Sequence, residues 1–160
     1  MERKEAEHIV VYYGEIPDML KCFRKRKDEL EDAYYNDSRG MNMDGMPHGS
    51  DPGSTVEKMA MRAAEDDAHN LMAEIETKIA VLNSDKRQIR TSIDCLNSRY
   101  KTILLDKFVN KYSWTQLASK LYASESTVRY WKDKALDQLA FVMAEEPMID
   151  ELVERASRAR

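Results

Sequence analysis

Apolar side chains in the first forty residues recur at alternating steps of three and four: Tyr13, Ile16, Leu20, Phe23, Leu30 and Tyr34, with Lys27 interrupting the stripe. That spacing is one face of a helix. Gly14 and Pro17 fall inside it. Proline is best tolerated in the first turn of a helix, so the pattern predicts a short helix, a break, and a longer helix over about 16–36. A second and longer stripe follows, made of Leu71, Ile75, Ile79, Leu82, Ile89, Ile93 and Leu96, with charges on the other faces. Ser54 or Thr55 stands where its N-cap belongs. An isolated helix cannot bury such a stripe. The two stripes therefore predict an antiparallel helical hairpin within the chain; a coiled coil between two chains answers the same need. Between them, Gly40, Gly45, Gly49 and Gly53 lie among Pro, Asp and Ser, which predicts a flexible linker over 39–55.

From Ser98 the pattern changes to three short amphipathic segments. The first carries Tyr100, Ile103, Leu104, Phe108 and Val109 on its apolar face. The second opens at Ser113, an N-cap, with Gln116 three residues on to complete a capping box. Trp114, Leu117, Ala118 and Leu121 face one way, and Ala118 is small enough for a close helix crossing. Ser124 caps the third segment, in which Val128, Trp131, Ala135 and Leu139 form the expected buried stripe. Its outer face carries Ser126, Thr127, Arg129 and Tyr130, then Lys132 and Lys134. Hydroxyls and an arginine near a helix N-terminus can reach base edges, and lysines further along can neutralise phosphates. The fold class expected is all-α: an N-terminal helical hairpin or coiled coil, followed by a helix-turn-helix. The domains expected are an N-terminal helix over 1–38, the linker over 39–55, a long helix over 56–97, the helix-turn-helix over 98–142 and a helical tail over 143–160.

Charge sharpens this picture. The whole chain of 160 residues carries a net charge of −4, which gives no global attraction to nucleic acid. Residues 93–140 carry a net of about +3, so any DNA surface is local. The basic run Lys21, Arg24, Lys25, Arg26, Lys27 reads as a solvated helix flank or as a secondary phosphate contact. Cys22 and Cys95 are isolated from each other, which predicts reduced thiols and excludes a disulfide framework. His48 and His69 have no second His or Cys at ligand spacing, so no metal and no cofactor is expected. No Gly-rich phosphate loop, HExxH or Ser, His and Asp set is present, so an enzyme is not expected. No apolar run reaches the ~18 residues of a membrane span, and a cytoplasmic protein is expected.

The string Ser113-Trp114-Thr115-Gln116-Leu117-Ala118, then Leu121, then Ser124-Glu125-Ser126-Thr127-Val128-Arg129 and Ala135-Leu136 resembles the promoter-reading C-terminal region of bacterial sigma factors. Arg99-Tyr100-Lys101-Thr102-Ile103-Leu104 resembles the helix preceding it there. The layout of helix, Gly/Pro linker, long helix and sigma-like module resembles the phage and prophage transcriptional regulators of the ArpU and RinA type, which control late genes. This resemblance implies that Glu125, Ser126, Arg129 and Tyr130 read bases. Sigma factors usually carry Arg at the position of Glu125 and Gln at that of Tyr130, so the docking mode carries over and the promoter element does not.

These readings combine into one expectation. The protein is a sequence-specific transcriptional regulator that binds double-stranded DNA through Ser113, Gln116, Glu125, Ser126, Thr127, Arg129, Tyr130, Lys132 and Lys134. Glu125 would accept from a cytosine amine and Arg129 would bridge a guanine. Two other readings stay open: the DNA-recognition subunit of a phage terminase, which would assemble into rings, and a sigma-like factor that grips host RNA polymerase. Self-association into a homo-oligomer fits each of them.

Overall fold

A computed structural model describes the backbone of residues 1–39 and 55–159, and the side chains of 1–34 and 66–159. The linker expected over 39–55, with Ser54, lies almost wholly outside the described residues. The protein is all-α, and no strand occurs among the described residues. In chain order the helices are α1 (Arg3–Arg39), α2 (Thr55–Asp94), α3 (Ser98–Leu104), α4 (Trp114–Lys120), α5 (Glu125–Met143) and α6 (Ile149–Arg158); a wider turn, Leu105–Val109, extends α3. Among the described residues no helix is long and apolar enough to cross a membrane.

The break expected at Gly14 and Pro17 does not occur, and α1 is continuous through both. Pro17 is exposed, and the helix loses one hydrogen bond there. Ile16 and Leu20, next to it on the helix surface, are buried and hold the helix through the defect. Gly14 has a different purpose from breaking the helix. A Cβ built on it would stand 3.0 Å from the Phe108 carbonyl oxygen and 3.4 Å from Val109 Cα. Its missing side chain lets α1 approach the wide turn after α3 backbone to backbone.

The chain divides into two compact units. One comprises residues 1–19 and 82–160, the other residues 20–81. In the first, Ile9, Val10, Ile16, Ile89, Ile93, Ile103, Leu104, Leu136, Leu139 and Leu152 are fully buried. Each such side chain contributes roughly 1.5–3 kcal/mol of burial. The apolar face of α1 starts earlier than the first stripe implied, since Ala6, Ile9 and Val10 are buried too. In the second unit Ile75 is buried, with Leu71 and Ile79 half-buried. There Lys27, the charge inside the apolar stripe, is bound 2.7 Å from Glu76 of α2 and 3.5 Å from Glu31. The Tyr34 and His69 rings meet edge to face at 5.4 Å.

One buried charge organises the first unit. Asp85 of α2 is 2% exposed. It accepts from Tyr12 Oη of α1 at 2.9 Å and from Arg155 Nε and Nη2 of α6 at 2.9 and 2.8 Å. The fork-to-carboxylate pairing satisfies both oxygens, the condition for burying a carboxylate. Burial first, then the bond to Asp85, pushes the Tyr12 phenol well above its ordinary value. The Asp85 bond likewise raises Arg155. The expected tail is thus a docked helix: α6 buries Leu152 and Ala156, and Gln88 of α2 donates to the Pro147 carbonyl before it at 3.2 Å.

Candidate nucleic-acid interface

The α3 to α5 region is built from locally determined ends. Asn97 caps α3 by accepting from the Tyr100 amide at 3.0 Å. After Leu104 the ladder widens, and the Asn110 amide donates to Leu105, five residues back, at 2.9 Å. The wide turn turns Asp106 inward, where it is 5% exposed. Asp106 accepts from Asn110 Nδ2 at 2.9 Å and from Lys120 Nζ at 2.6 Å, which ties the end of α3 to the end of α4. That bond raises the Lys120 ammonium above its ordinary value. Ser113 and Gln116 form the expected capping box: the Gln116 amide donates to Ser113 Oγ at 3.2 Å, and the Ser113 amide to Gln116 Oε1 at 2.8 Å.

α4 ends in a tight turn. The Tyr122 amide donates to Ser119 and the Ala123 amide to Ala118, at 3.3 and 3.0 Å. Tyr122 sits between them at φ 51° and is 98% exposed. This is the left-handed cap position that glycine normally fills. Ser124 then caps α5, accepting from the Thr127 amide at 3.2 Å. Val128, Ala135, Leu136, Leu139, Ala140 and Met143 are buried. Trp131 is only half-buried, and the Arg99 guanidinium of α3 lies 4.6 Å from its ring centre.

The nine expected DNA-binding residues divide into three groups. Ser126, Arg129, Tyr130 and Lys134 are exposed along α5. Arg129 lies 5.1 Å from the Trp114 ring centre and 3.6 Å from Glu125; Lys134 lies 5.8 Å from the Tyr130 ring centre. Ser113, Gln116 and Thr127 serve first as helix ends, although Ser113 and Gln116 are exposed. Glu125 and Lys132 are placed otherwise than expected. Glu125 is half-buried and accepts from the Thr115 hydroxyl at 2.7 Å, so its carboxylate links α4 to α5 and holds Arg129. Lys132 has a side chain only 17% exposed, with its ammonium 3.9 Å from Glu7 of α1 and 3.0 Å from Asp133. It follows Val128 by four residues, so the helical period puts its aliphatic stem beside the buried stripe.

Several residues of this face carry no distinguishing mark in the sequence. The apolar pattern assigns Trp114 to the core, yet it is half-buried and carries two cations over its ring, Arg129 and Lys107, the latter at 4.5 Å. Thr115 fixes Glu125, and Lys107 and exposed Lys111 add positive charge beside α4. Their only signal is residue type, because the pairings cross between elements. No group of three or more acidic, His or Cys side chains among the described residues is placed to hold a metal ion. No family model, curated protein or solved structure matches the chain.

Proposed function

We propose that this protein is a sequence-specific double-stranded DNA-binding regulator of transcription that lays the N-terminal half of α5 in the major groove. The observation that carries the reading is the presentation of Arg129. It projects from the second turn of a capped helix whose other face is buried on α3 and α4. Its exposed guanidinium lies 5.1 Å from the Trp114 ring centre and 3.6 Å from the Glu125 carboxylate. A guanidinium presented there suits the paired acceptors of a guanine edge. Ser126 and Tyr130 flank it, and Lys134 lies where a phosphate contact belongs.

The sigma-like string and the layout shared with the ArpU and RinA type support a place among regulators of phage or prophage genes. Selection of bound duplexes from a random pool tests the proposal. The expected result is a short consensus, and a palindrome in it would indicate a dimer. Retention of RNA polymerase without enrichment of any duplex would replace this reading by the polymerase-gripping one. Ring assembly together with enrichment of a packaging site would replace it by the terminase one.

A further inference from the structure

The first unit carries a second basic feature, built from α1 and α2 rather than α5. A groove of about 700 Å³ is lined by Tyr13, Asn83, Lys86, Arg87, Arg90 and Thr91. No carboxylate among the described residues lines it. Arg90 lies four residues after Lys86 and three after Arg87 along α2, spacings at which like charges are neighbours and repel. Arg90 alone of the three has an acidic partner among the described residues. Its Nε lies 2.9 Å from Asp94, which is shared with Lys101. Lys86 and Arg87 form no ion pair among the described residues, in a chain whose net charge is −4. Acidic side chains are plentiful, yet none among the described residues pairs with these two cations.

The groove is also partly fixed. Tyr13 is 9% exposed and forms one wall, while Arg90 pairs with Asp94. The Thr91 hydroxyl donates to the Arg87 carbonyl at 3.0 Å. One anchored fork and two unpaired cations thus converge on a space large enough for a hydrated polyanion. A single carboxylate would offset one of these charges. A phosphate group offers more charge and several acceptor oxygens, and it matches both guanidinium and ammonium donors.

We propose that this groove binds a phosphate group, separately from the α5 face. The phosphate belongs either to a nucleic-acid backbone or to a small phosphorylated molecule. The proposal does not rest on the reading of α5.

The test uses the full chain and a Lys86→Ala, Arg87→Ala double variant. Both side chains lie outside the core, and a thermal melt checks that the variant is folded. Backbone amide resonances are followed during titration with inorganic pyrophosphate, against chloride at equal ionic strength. A second titration uses a random-sequence duplex over a salt series. A small-molecule source predicts saturable shifts confined to residues 83–91 with pyrophosphate, at least tenfold weaker in the variant, and an unchanged salt slope with duplex. A backbone source predicts shifts at the same residues with duplex and a slope of log K against log salt lower by about 1.8 in the variant, roughly 0.9 for each phosphate that is no longer neutralised. Shifts that persist undiminished in the variant would overturn the proposal, as would no response of residues 83–91 to either ligand. Pyrophosphate binding without any duplex binding would remove the DNA reading and leave this site standing.

Discussion

Asp85 illustrates how one side chain can couple distant parts of the chain. It is buried, and its partners Tyr12 and Arg155 come from α1 and α6. Removing the guanidinium would leave the carboxylate with the Tyr12 hydroxyl alone. Arg155→Ala is therefore expected to destabilise the protein by about 2–4 kcal/mol, as for a buried pair stripped of one partner. Urea denaturation measures it, and an unchanged midpoint would mean that the triad contributes little. Gly14 makes the opposite kind of contribution, through what it lacks. Its ideal Cβ position is 3.0 Å from a backbone oxygen that cannot rotate away. Gly14→Val adds that carbon and two methyls, so a loss of roughly 1–3 kcal/mol is expected from overpacking. The same denaturation series checks it, and a gain in stability would show that α1 and the wide turn part freely.

At the scale of elements, the long helices are legible in the sequence because their cores repeat. Ile75, Leu82, Ile89 and Ile93 are buried at the spacing the sequence displays. The caps at Ser113 and Ser124 are legible because a cap needs only a residue and a partner three positions on. Continuity of α1 through Pro17 is not, because local propensity argues for a break and tertiary burial decides against it. The docking of α6 leaves no signal either, since Asp85 and Arg155 lie 70 residues apart. Residue type alone turns Lys132 outward, whereas its register with Val128 turns it toward α1. That register yields a prediction. Lys134→Ala is expected to lower the salt slope of duplex binding by roughly one unit, whereas Lys132→Ala, with Glu7 and Asp133 as its partners, should leave the slope nearly unchanged. Equal effects would place both lysines on the phosphates. Ion pairs at element ends also set a pH response. The Lys101 bond, then Arg90, holds Asp94 below the usual carboxylate range, and the Arg3 bond holds Asp137 below it. A depressed carboxylate stabilises the fold above its unfolded value of about 3.9 and loses that contribution as pH falls through the folded value. Stability should therefore fall below about pH 4. The fall should be shallower in Arg3→Ala and Lys101→Ala, and identical acid profiles would dismiss these pairs.

For the whole molecule, the central claim is that an acidic protein binds DNA through a small basic face. The net charge of −4 predicts weak attraction to random duplex, so discrimination must come from base contacts made by few residues. Arg129 carries most of that burden in this account. The most direct measurement is the affinity of wild type and Arg129→Ala for the selected duplex and a scrambled one, over a salt series. The account predicts a loss of roughly 1–3 kcal/mol on the selected duplex, little change on the scrambled one, and a relaxed choice of base at one position. Equal weakening on both duplexes with an unchanged consensus would contradict it, and α5 would not be the helix that reads the groove.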